Sequence, residues 1–301
     1  MKIQDILLAV VVAFIWGFNF VVIELGLDSF PPLLFSALRF VFSAFPAIFF
    51  IQKGSVGLRW IVSIGLVLGV VMFSLLFVGM KIGMPAGLSS LVLQIQSVFT
   101  LLLSSFLLRD APTAVQKLGI SIAFGGIVIL VFDSIGEGRS SLVGLCIVIA
   151  AGLAWAVSNI LMKKAGRINM FHLVIQMSLI PPLPLFFLSF FFENGQIETI
   201  ADISLTGVFA IFYTSIVSTV LAFGFWGKLL SRYSPNVVAP FSLLVPVFGM
   251  LSSWVVLGES FNNREWIASL CIFAGLLVIV APRDALNRIK SSLALAMQRW
   301  E

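Results

Sequence analysis

Long apolar runs, separated by short polar stretches, repeat along the whole chain of 301 residues. Each run is long enough to cross roughly 30 Å of hydrocarbon as a helix. A segment inside a bilayer must satisfy its own backbone hydrogen bonds, which favours helices. The pattern therefore predicts an all-α integral membrane protein. Its ten predicted transmembrane helices span residues 4–25, 32–51, 60–80, 85–108, 115–132, 141–162, 171–192, 204–228, 236–258 and 265–282.

Turn-forming and charged residues mark the breaks between the runs. Pro31-Pro32 separates the first two, and Glu193-Asn194-Gly195 separates the seventh from the eighth. The first run is longer than the apolar core of a cleavable signal peptide, and no small-residue cleavage pattern follows it. We therefore expect it to remain as the first helix.

Composition supports a bilayer as the solvent. Hydrophobic residues make up 60% of the chain, charged residues 10%, and the mean hydropathy is +1.14. Soluble domains are nearer half apolar and a quarter charged. The net charge of +5 comes from basic residues scattered between apolar runs rather than gathered on one polar face. This arrangement gives no support to nucleic-acid binding.

The basic residues also predict an orientation. If the N-terminus is cytoplasmic, 14 of the 18 Lys and Arg residues lie in cytoplasmic connections and three in outer ones. Arg39, inside a helix, completes the 18. The positive-inside rule then predicts that both termini are cytoplasmic.

An internal repeat divides the chain. Residues 85–110 and 234–259 agree at an offset of 149, which pairs Asp110 with Glu259 and Gly126 with Gly275. Chance similarity between apolar helices is the alternative. Because five spans per repeat is an odd number, the two halves must run in opposite directions, a recurring transporter design.

The repeat predicts three segments: a first five-helix unit over 1–133, an inverted second unit over 140–282, and a cytoplasmic tail over 283–301. Apolar residues of the tail fall three or four apart, with basic residues beside them. This spacing predicts an amphipathic helix on the membrane surface, and a disordered tail is the alternative.

Two aromatic–amide groups occupy corresponding positions in the halves. Trp16, Asn19 and Phe20 share a helical face, and Trp155 and Asn159 repeat the arrangement in the sixth span. An aromatic wall beside an amide suits a small zwitterion. The alternative is that the tryptophans only pack helices together.

Arg39 is the clearest polar residue at membrane depth. It lies seven residues into the second span, about 10 Å from the membrane surface at 1.5 Å per residue. A charge there is costly unless it is paired or faces a cavity. Arg39 could pair with Glu24, extend outward to the interface, or receive a substrate carboxylate, and a structural role is the alternative to ligand binding.

Further candidates lie in the fourth, eighth and ninth spans. Gln94 and Gln96 are two residues apart and point about 200° from each other on a regular helix, so we do not expect both to face one cavity. Pro246 frees a backbone carbonyl in the ninth span, which Ser242 or another polar neighbour could satisfy. Trp226 is a weaker candidate.

Several kinds of chemistry find no support in the sequence. There is no GxxxxGK[ST] motif for ATP and no HExxH, and the single histidine, His172, lies at a helix end. Cys146 and Cys271 lie in apolar runs without metal-ligand spacing. We expect no enzyme activity, no cofactor and no metal site. No acid falls at mid-helix depth in the predicted spans, which favours efflux without proton coupling.

Four stretches of the sequence are similar to a known family. WGFNFVVIELGL (16–27), PPLLFSALRFVFSAFPAIFF (31–50), GMPAGLSSLVLQIQS (83–97) and RYSPNVVAPFSLLVPVFG (232–249) resemble the EamA branch of the drug/metabolite transporter superfamily. The resemblance implies an inverted five-plus-five repeat in a bacterial inner membrane. It also implies a central cavity lined mainly by the first, third, fourth, sixth, eighth and ninth helices. It also implies export of amino acids or related metabolites such as O-acetylserine and cysteine.

By matching position, these candidate residues fall inside motif stretches of that family: Trp16, Asn19, Arg39, Gln94, Gln96, Ser242 and Pro246. Trp155 and Asn159 rest on the internal repeat alone.

The leading interpretation is an exporter of small amino-acid metabolites. The alternatives are an exporter of other solutes on the same fold, such as aromatic amino acids, threonine, homoserine or drugs, or a membrane sensor. The partners expected are a small-molecule substrate and the lipid bilayer. A monomer is compatible with the sequence, which leaves the oligomeric state open.

Overall fold

The computed structural model describes residues 1–45, 47–50, 56–109, 111–135, 141–166 and 169–280. Across these residues all regular structure is helical. They contain nine helices long and apolar enough to cross a membrane, or ten if one bent pair is a single span. The prediction of an all-α membrane protein is thereby confirmed.

We label the helices by span. They are α1 (Ile3–Ser29), α2 (Pro32–Ala44), α3 (Leu58–Lys81), α4 (Ala86–Leu108), α5 (Ala114–Ile135), α6 (Leu142–Ala165), α7a (Met170–Met177), α7b (Pro182–Phe192), α8 (Leu205–Arg232), α9 (Ala239–Leu257) and α10 (Asn263–Val280). A short 3₁₀ helix, Ala47–Phe50, follows α2.

Several helices differ from the predicted boundaries: α2 ends at Ala44 rather than at residue 51, and α8 continues past residue 228 to Arg232. Helix α1 continues past the predicted end at residue 25 to Ser29, so that Glu24 lies inside the helix rather than at its end. The span predicted over 171–192 is broken into α7a and α7b, which meet at an angle of 41°. The break has a local cause, because Pro181 and Pro182 lack the N–H groups that would continue the hydrogen bonds of α7a.

The packing of helices is paired between the halves. Helix α5 packs along α10, α2 packs along α7b, and α4 packs against α9. Helix α1 packs on α9 and α8, and α6 packs on α4 and α3 in the same way. Each contact in this set has a counterpart when the five spans of one half are exchanged for those of the other. The division at residues 133 and 140 and the opposite orientation of the halves remain predictions.

Close glycine contacts follow the same exchange. A Cβ added at Gly119 would lie 2.7 Å from the Gly275 carbonyl oxygen, and one at Gly126 would lie 2.7 Å from the Ala268 carbonyl oxygen. Adding the offset of 149 to residue 119 gives residue 268, and subtracting it from residue 275 gives residue 126. The two contacts are therefore equivalent under the internal repeat. The absence of side chains at these positions lets the backbones of α5 and α10 approach closely.

The helices also depart from regular geometry at corresponding places. Helices α3 and α8 contain π-helical stretches, Gly65–Met72 and Tyr213–Leu221, while α4 and α9 contain 3₁₀ stretches, Leu93–Ile95 and Ala239–Leu243. Such interruptions redirect carbonyl groups and are frequent at functional sites. All four helices reach the centre of the molecule, where these irregular stretches surround a cavity.

Carboxylates hold helix ends together at one face of the bundle. Glu193, after α7b, accepts hydrogen bonds from the N–H groups of Leu33 and Leu34 at 2.6 and 3.1 Å. Glu259, after α9, accepts from the N–H groups of Ala86 and Gly87 at 2.7 and 3.0 Å. Both acids occupy the positive ends of helix dipoles, at the starts of α2 and α4.

The opposite face is tied by side chains. Asp5, near the start of α1, accepts hydrogen bonds from Arg232 at 3.1 Å and from the Tyr233 hydroxyl at 2.7 Å at the end of α8. By the charge count this is the cytoplasmic face. The predicted cytoplasmic ends remain a prediction, and the tail over 283–301 lies outside the described residues.

Candidate functional site

A central cavity of about 400 Å³ lies between α1, α2, α3, α4, α6, α7a, α8 and α9. The resemblance implied the first, third, fourth, sixth, eighth and ninth spans as its main walls, and the structure adds α2 and α7a. The cavity brings together ten of the eleven candidate residues: Trp16, Asn19, Phe20, Arg39, Gln94, Gln96, Trp155, Asn159, Trp226 and Ser242.

Aromatic rings from α1 and α8 form one wall. The Trp16 ring centroid lies 5.0 Å from that of Phe223 and 5.2 Å from that of Trp226. The Trp16 indole N–H donates to the Ser218 carbonyl oxygen at 3.1 Å, within the π-helical stretch of α8. Trp16 therefore both packs α1 against α8 and presents its ring to the cavity. Trp155 faces the cavity from α6.

Asn19 and Phe20 complete the face of α1 that borders the cavity. Both are 6% exposed. The Asn19 side-chain oxygen is buried and accepts no hydrogen bond. Because a buried amide oxygen without a partner costs free energy, this atom is available to a donor on a bound molecule.

Arg39 lies in the cavity wall and is 3% exposed. Its Nη2 donates to the Thr219 hydroxyl at 3.2 Å, and the guanidinium lies 4.1 Å from the centroid of the Phe73 ring. Its Nε and Nη1 have no hydrogen-bond partner. A π-helical stretch positions Thr219, whose hydroxyl in turn donates to the Thr214 carbonyl at 2.7 Å.

Two of the three roles considered for Arg39 do not match the structure. In the part of the chain that is described, Arg39 makes no ion pair with Glu24, whose charged neighbours are Asp28, Lys81 and Glu259. The side chain is buried and so does not extend to the interface. The position in the cavity wall is compatible with the third role, the reception of a substrate carboxylate, and the contacts with Thr219 and Phe73 are compatible with a structural one. The role of Arg39 in binding stays a prediction.

An amide network joins α4 to α6. Asn159 donates from Nδ2 to the Gln96 side-chain oxygen at 2.7 Å and to the Thr100 hydroxyl at 3.1 Å, and Gln96 donates to the Ser97 hydroxyl at 3.1 Å. These bonds orient the amides at the edge of the cavity. The internal repeat suggested Asn159, and the structure places it against the fourth span.

Gln94 and Gln96 both line the cavity, so the expectation that only one could do so is wrong. The reason is the 3₁₀ stretch Leu93–Ile95. On a regular helix, residues two apart are rotated by about 200°, which leaves about 160° between their side chains. With three residues per turn the rotation is about 240°, which leaves only about 120°. Both amide side chains can then border one wide cavity.

Pro246 is the candidate that does not line the cavity. It is buried within α9, and its missing N–H would have bonded to the carbonyl of Ser242, four residues earlier. Gln94, from the other half, supplies the missing donor to that carbonyl at 3.1 Å. Pro246 therefore shapes the site through the backbone of α9. The Ser242 hydroxyl itself donates to the Ala239 carbonyl at 2.7 Å.

Sequence reasoning missed two sets of cavity residues. Four methionines line the wall: Met72, Met162, Met170 and Met177. Thioethers are flexible and polarisable, so such a wall adapts to the shape of a ligand. The second set is Ser218 and Thr219 of α8. The run Thr214-Ser215-Ile216-Val217-Ser218-Thr219 within an apolar span was a signal for it.

Arg39 is the only charged side chain among the described residues that border the cavity. No Asp, Glu, Lys or His is part of that wall. The site can therefore offer one cation, several amide and hydroxyl groups, and a large aromatic and thioether surface to a small molecule.

The chain matches a protein-family model in two segments. The model describes an EamA-like transporter family and covers residues 4–132 and 142–281. A protein of Escherichia coli K12 described as a probable amino-acid metabolite efflux pump is 38% identical over 92% of this chain and 95% of its own. Its counterpart in Salmonella typhimurium LT2, which carries the same description, is 39% identical over the same shares.

More distant proteins match over most of the chain. An uncharacterized inner membrane transporter of Escherichia coli K12, YedA, is 25% identical over 88% of this chain and 87% of its own. A solved crystal structure aligns with a TM-score of 0.61 at 19% identity, covering 93% of this chain and 98% of that chain. At that identity the alignment supports the fold alone.

Proposed function

The chain belongs to the EamA-like transporter family, and on that premise we propose that it exports amino-acid metabolites of the O-acetylserine and cysteine class. Membership makes it a membrane transporter of small molecules and not an enzyme. Its two relatives described as amino-acid metabolite efflux pumps, and one described as an inner membrane transporter, support export across a bacterial inner membrane.

The observation that carries the proposal is the central cavity. Its volume of about 400 Å³ is near the lower end of the range that holds small ligands, roughly 300–1,000 Å³. It is bordered by eight helices from both halves, the location expected of a transporter site. Alternating access follows if the two halves tilt about the bound solute and open the cavity to one side at a time.

The chemistry of the wall suits an amino-acid metabolite. Arg39 has two unpartnered nitrogens for a carboxylate, and arginine is well suited to carboxylate recognition. The amide groups of Gln94, Gln96 and Asn159 can bind an ester or amide oxygen. The methionines and aromatic rings provide an adaptable surface for a thiol, acetyl or other small side chain.

The driving force follows from the charges in the wall. Because no described carboxylate borders the cavity, the wall holds no proton carrier of the kind that antiporters use. Glu24 lies inside α1 but is not part of the cavity wall. Its charged neighbours are Asp28, Lys81 and Glu259, and its Oε2 is buried without a hydrogen-bond partner. The solute then leaves down its own electrochemical gradient. A flux that follows an imposed pH gradient at a fixed solute gradient would contradict this.

The test uses purified protein in liposomes loaded with isotopically labelled solutes. We expect exchange of O-acetylserine and cysteine to exceed that of empty liposomes. Phenylalanine, threonine, homoserine and a cationic drug should be slower, and a faster rate for any of them would reassign the substrate. Trp155→Leu should lower exchange about tenfold, while Trp254→Leu, at a ring 61% exposed outside the cavity, should not. No exchange of any solute would reject the proposal.

A further inference from the structure

Asn19 differs from the other amide side chains that border the cavity. Gln94 donates to the Ser242 carbonyl, and Gln96 and Asn159 bond to each other. Asn19 is 6% exposed, and among the described residues its side-chain amide has no hydrogen-bond partner. A buried polar group without a partner costs free energy, and a bound molecule with the complementary group removes that cost. The amide of Asn19 therefore points to a ligand.

The internal repeat explains why the amide of α1 lacks a partner. Asn159, the amide of α6, donates to Gln96 and Thr100 of α4. Helix α1 packs on α9 as α6 packs on α4. The offset of 149 places Val245 and Gly249 of α9 at the equivalent positions, and neither has a polar side chain. The amide of the second half therefore ties two helices together, whereas the amide of the first half is left for another partner.

The surroundings of Asn19 suit an ammonium group. Trp16 lies three residues earlier on the same face of α1, and its ring forms an aromatic wall with Phe223 and Trp226 at 5.0 and 5.2 Å. An amide oxygen accepts a hydrogen bond from an ammonium group, and aromatic faces attract its charge. Because no described hydrogen bond holds the Asn19 amide, rotation of this group turns its oxygen into the cavity without breaking one.

The opposite charge of a zwitterion has its own place in the cavity. Arg39, on α2, is the only charged side chain in the described wall, and two of its nitrogens lack a partner. In the proposed function these nitrogens receive the substrate carboxylate. A neutral amino-acid metabolite carries a carboxylate and an ammonium group, so that each of its charges meets a different helix.

We propose that the Asn19 side-chain oxygen binds the α-ammonium group of the transported metabolite, so that the exporter requires a free amine. This assignment deepens the proposed function and rests on it. A metabolite whose amine is removed or acylated leaves the Asn19 oxygen without its ammonium partner. A site that bonds a polar group of its substrate discriminates strongly against an analogue that lacks the group. Neutral α-amino acids are therefore favoured over the corresponding carboxylic acids.

Exchange of labelled O-acetylserine by the purified protein in liposomes tests the proposal. Cysteine and 3-mercaptopropionate are added outside as unlabelled competitors, at mildly acidic pH and with a reducing agent. Hydrogen replaces the amine in 3-mercaptopropionate, so the analogue is smaller than cysteine and size does not exclude it. Competition is measured because the protonated acid crosses a bilayer by itself. We expect half-inhibition to need at least about tenfold more 3-mercaptopropionate than cysteine.

Variants at Asn19 separate an acceptor from a donor. Asn19→Leu keeps the approximate shape and removes the oxygen, so inhibition by cysteine should weaken about tenfold while inhibition by 3-mercaptopropionate stays the same. Asn19→Asp keeps acceptor oxygens and loses the N–H donors, so the ratio of the two half-inhibition concentrations should stay at the wild-type value or rise. Asn194→Leu is the matched control, since Asn194 is exposed after α7b and lies outside the cavity.

Three results would overturn the proposal and leave the proposed function in place. They are equal inhibition of the wild type by both competitors, an unchanged ratio in a folded Asn19→Leu protein, and a ratio near one in Asn19→Asp, which would make the amide a donor. The wild-type ratio and Asn19→Asp decide the question if Asn19→Leu does not fold. The absence of exchange for O-acetylserine and every other solute would reject both proposals.

Discussion

Replacing Arg39 by methionine removes the only charge from the described cavity wall while keeping a long, flexible side chain. The substitution loses one hydrogen bond from a charged donor, about 1.5–3 kcal/mol, and cation–π contact with the Phe73 ring, up to about 2 kcal/mol. It also removes the desolvation penalty of a buried ion, which amounts to several kcal/mol. The terms nearly cancel, so we expect the free energy of unfolding to stay within about 1 kcal/mol of the wild type or to rise.

The assay combines unfolding in mixed detergent micelles with exchange in liposomes. Arg39→Met should unfold like the wild type, yet exchange should fall at least tenfold. A transported solute at 100 times its Kd should stabilise the wild type by about 2.7 kcal/mol and the variant much less. A loss of stability above about 2 kcal/mol would refute the reasoning, because Arg39 would then be a structural residue. Unchanged exchange would refute it as well.

Three further substitutions test the described contacts. Gln94→Leu should lower the free energy of unfolding by about 1–3 kcal/mol, because the Ser242 carbonyl that Pro246 leaves without a backbone donor would lose its side-chain donor. A double variant with Pro246→Ala should recover most of that loss. Unfolding of the wild type, the two single variants and the double variant would measure both effects. Gly126→Ala should destabilise by about 1–3 kcal/mol, because the new Cβ would lie 2.7 Å from a backbone oxygen of α10. Gly125→Ala, with nothing within 4 Å, should be neutral or slightly stabilising. Trp16→Phe should reduce fluorescence quenching by bound substrate, and equal quenching in both proteins would remove this ring from the site.

The spans were predictable because each one depends on a continuous local run of residues. A run of apolar residues long enough to cross a bilayer leaves few alternatives to a helix, and its ends are marked by proline, glycine and charge. Local signals were less exact at the ends. The continuation of α1 to Ser29 depends on where the chain can turn before Pro31, and the break before α7b depends on a proline pair that lies inside an apolar run.

The composition of the site was partly predictable for a different reason. Polar residues at membrane depth are expensive, so Asn19, Arg39 and the glutamines stood out against an apolar background. Methionines such as Met72 and Met177 could not stand out, because a thioether is apolar and common in any buried helix. Ser218 and Thr219 were visible as hydroxyls, but nothing local indicated that their helix is π-wound and turns them to the centre.

The sequence by itself determined that the chain lies in a bilayer, that it is helical, where its spans approximately lie and which polar groups are candidates for the site. Hydropathy and turn chemistry give this information because they act over a few residues. Only the tertiary structure decided which groups meet. It placed Gln94 on the carbonyl that Pro246 frees, brought both glutamines to one wall, and left Arg39 without a counter-ion. These outcomes depend on how helices distant in sequence pack and where their backbones depart from regular geometry. Long-range packing determines both, and no local pattern of residues encodes it.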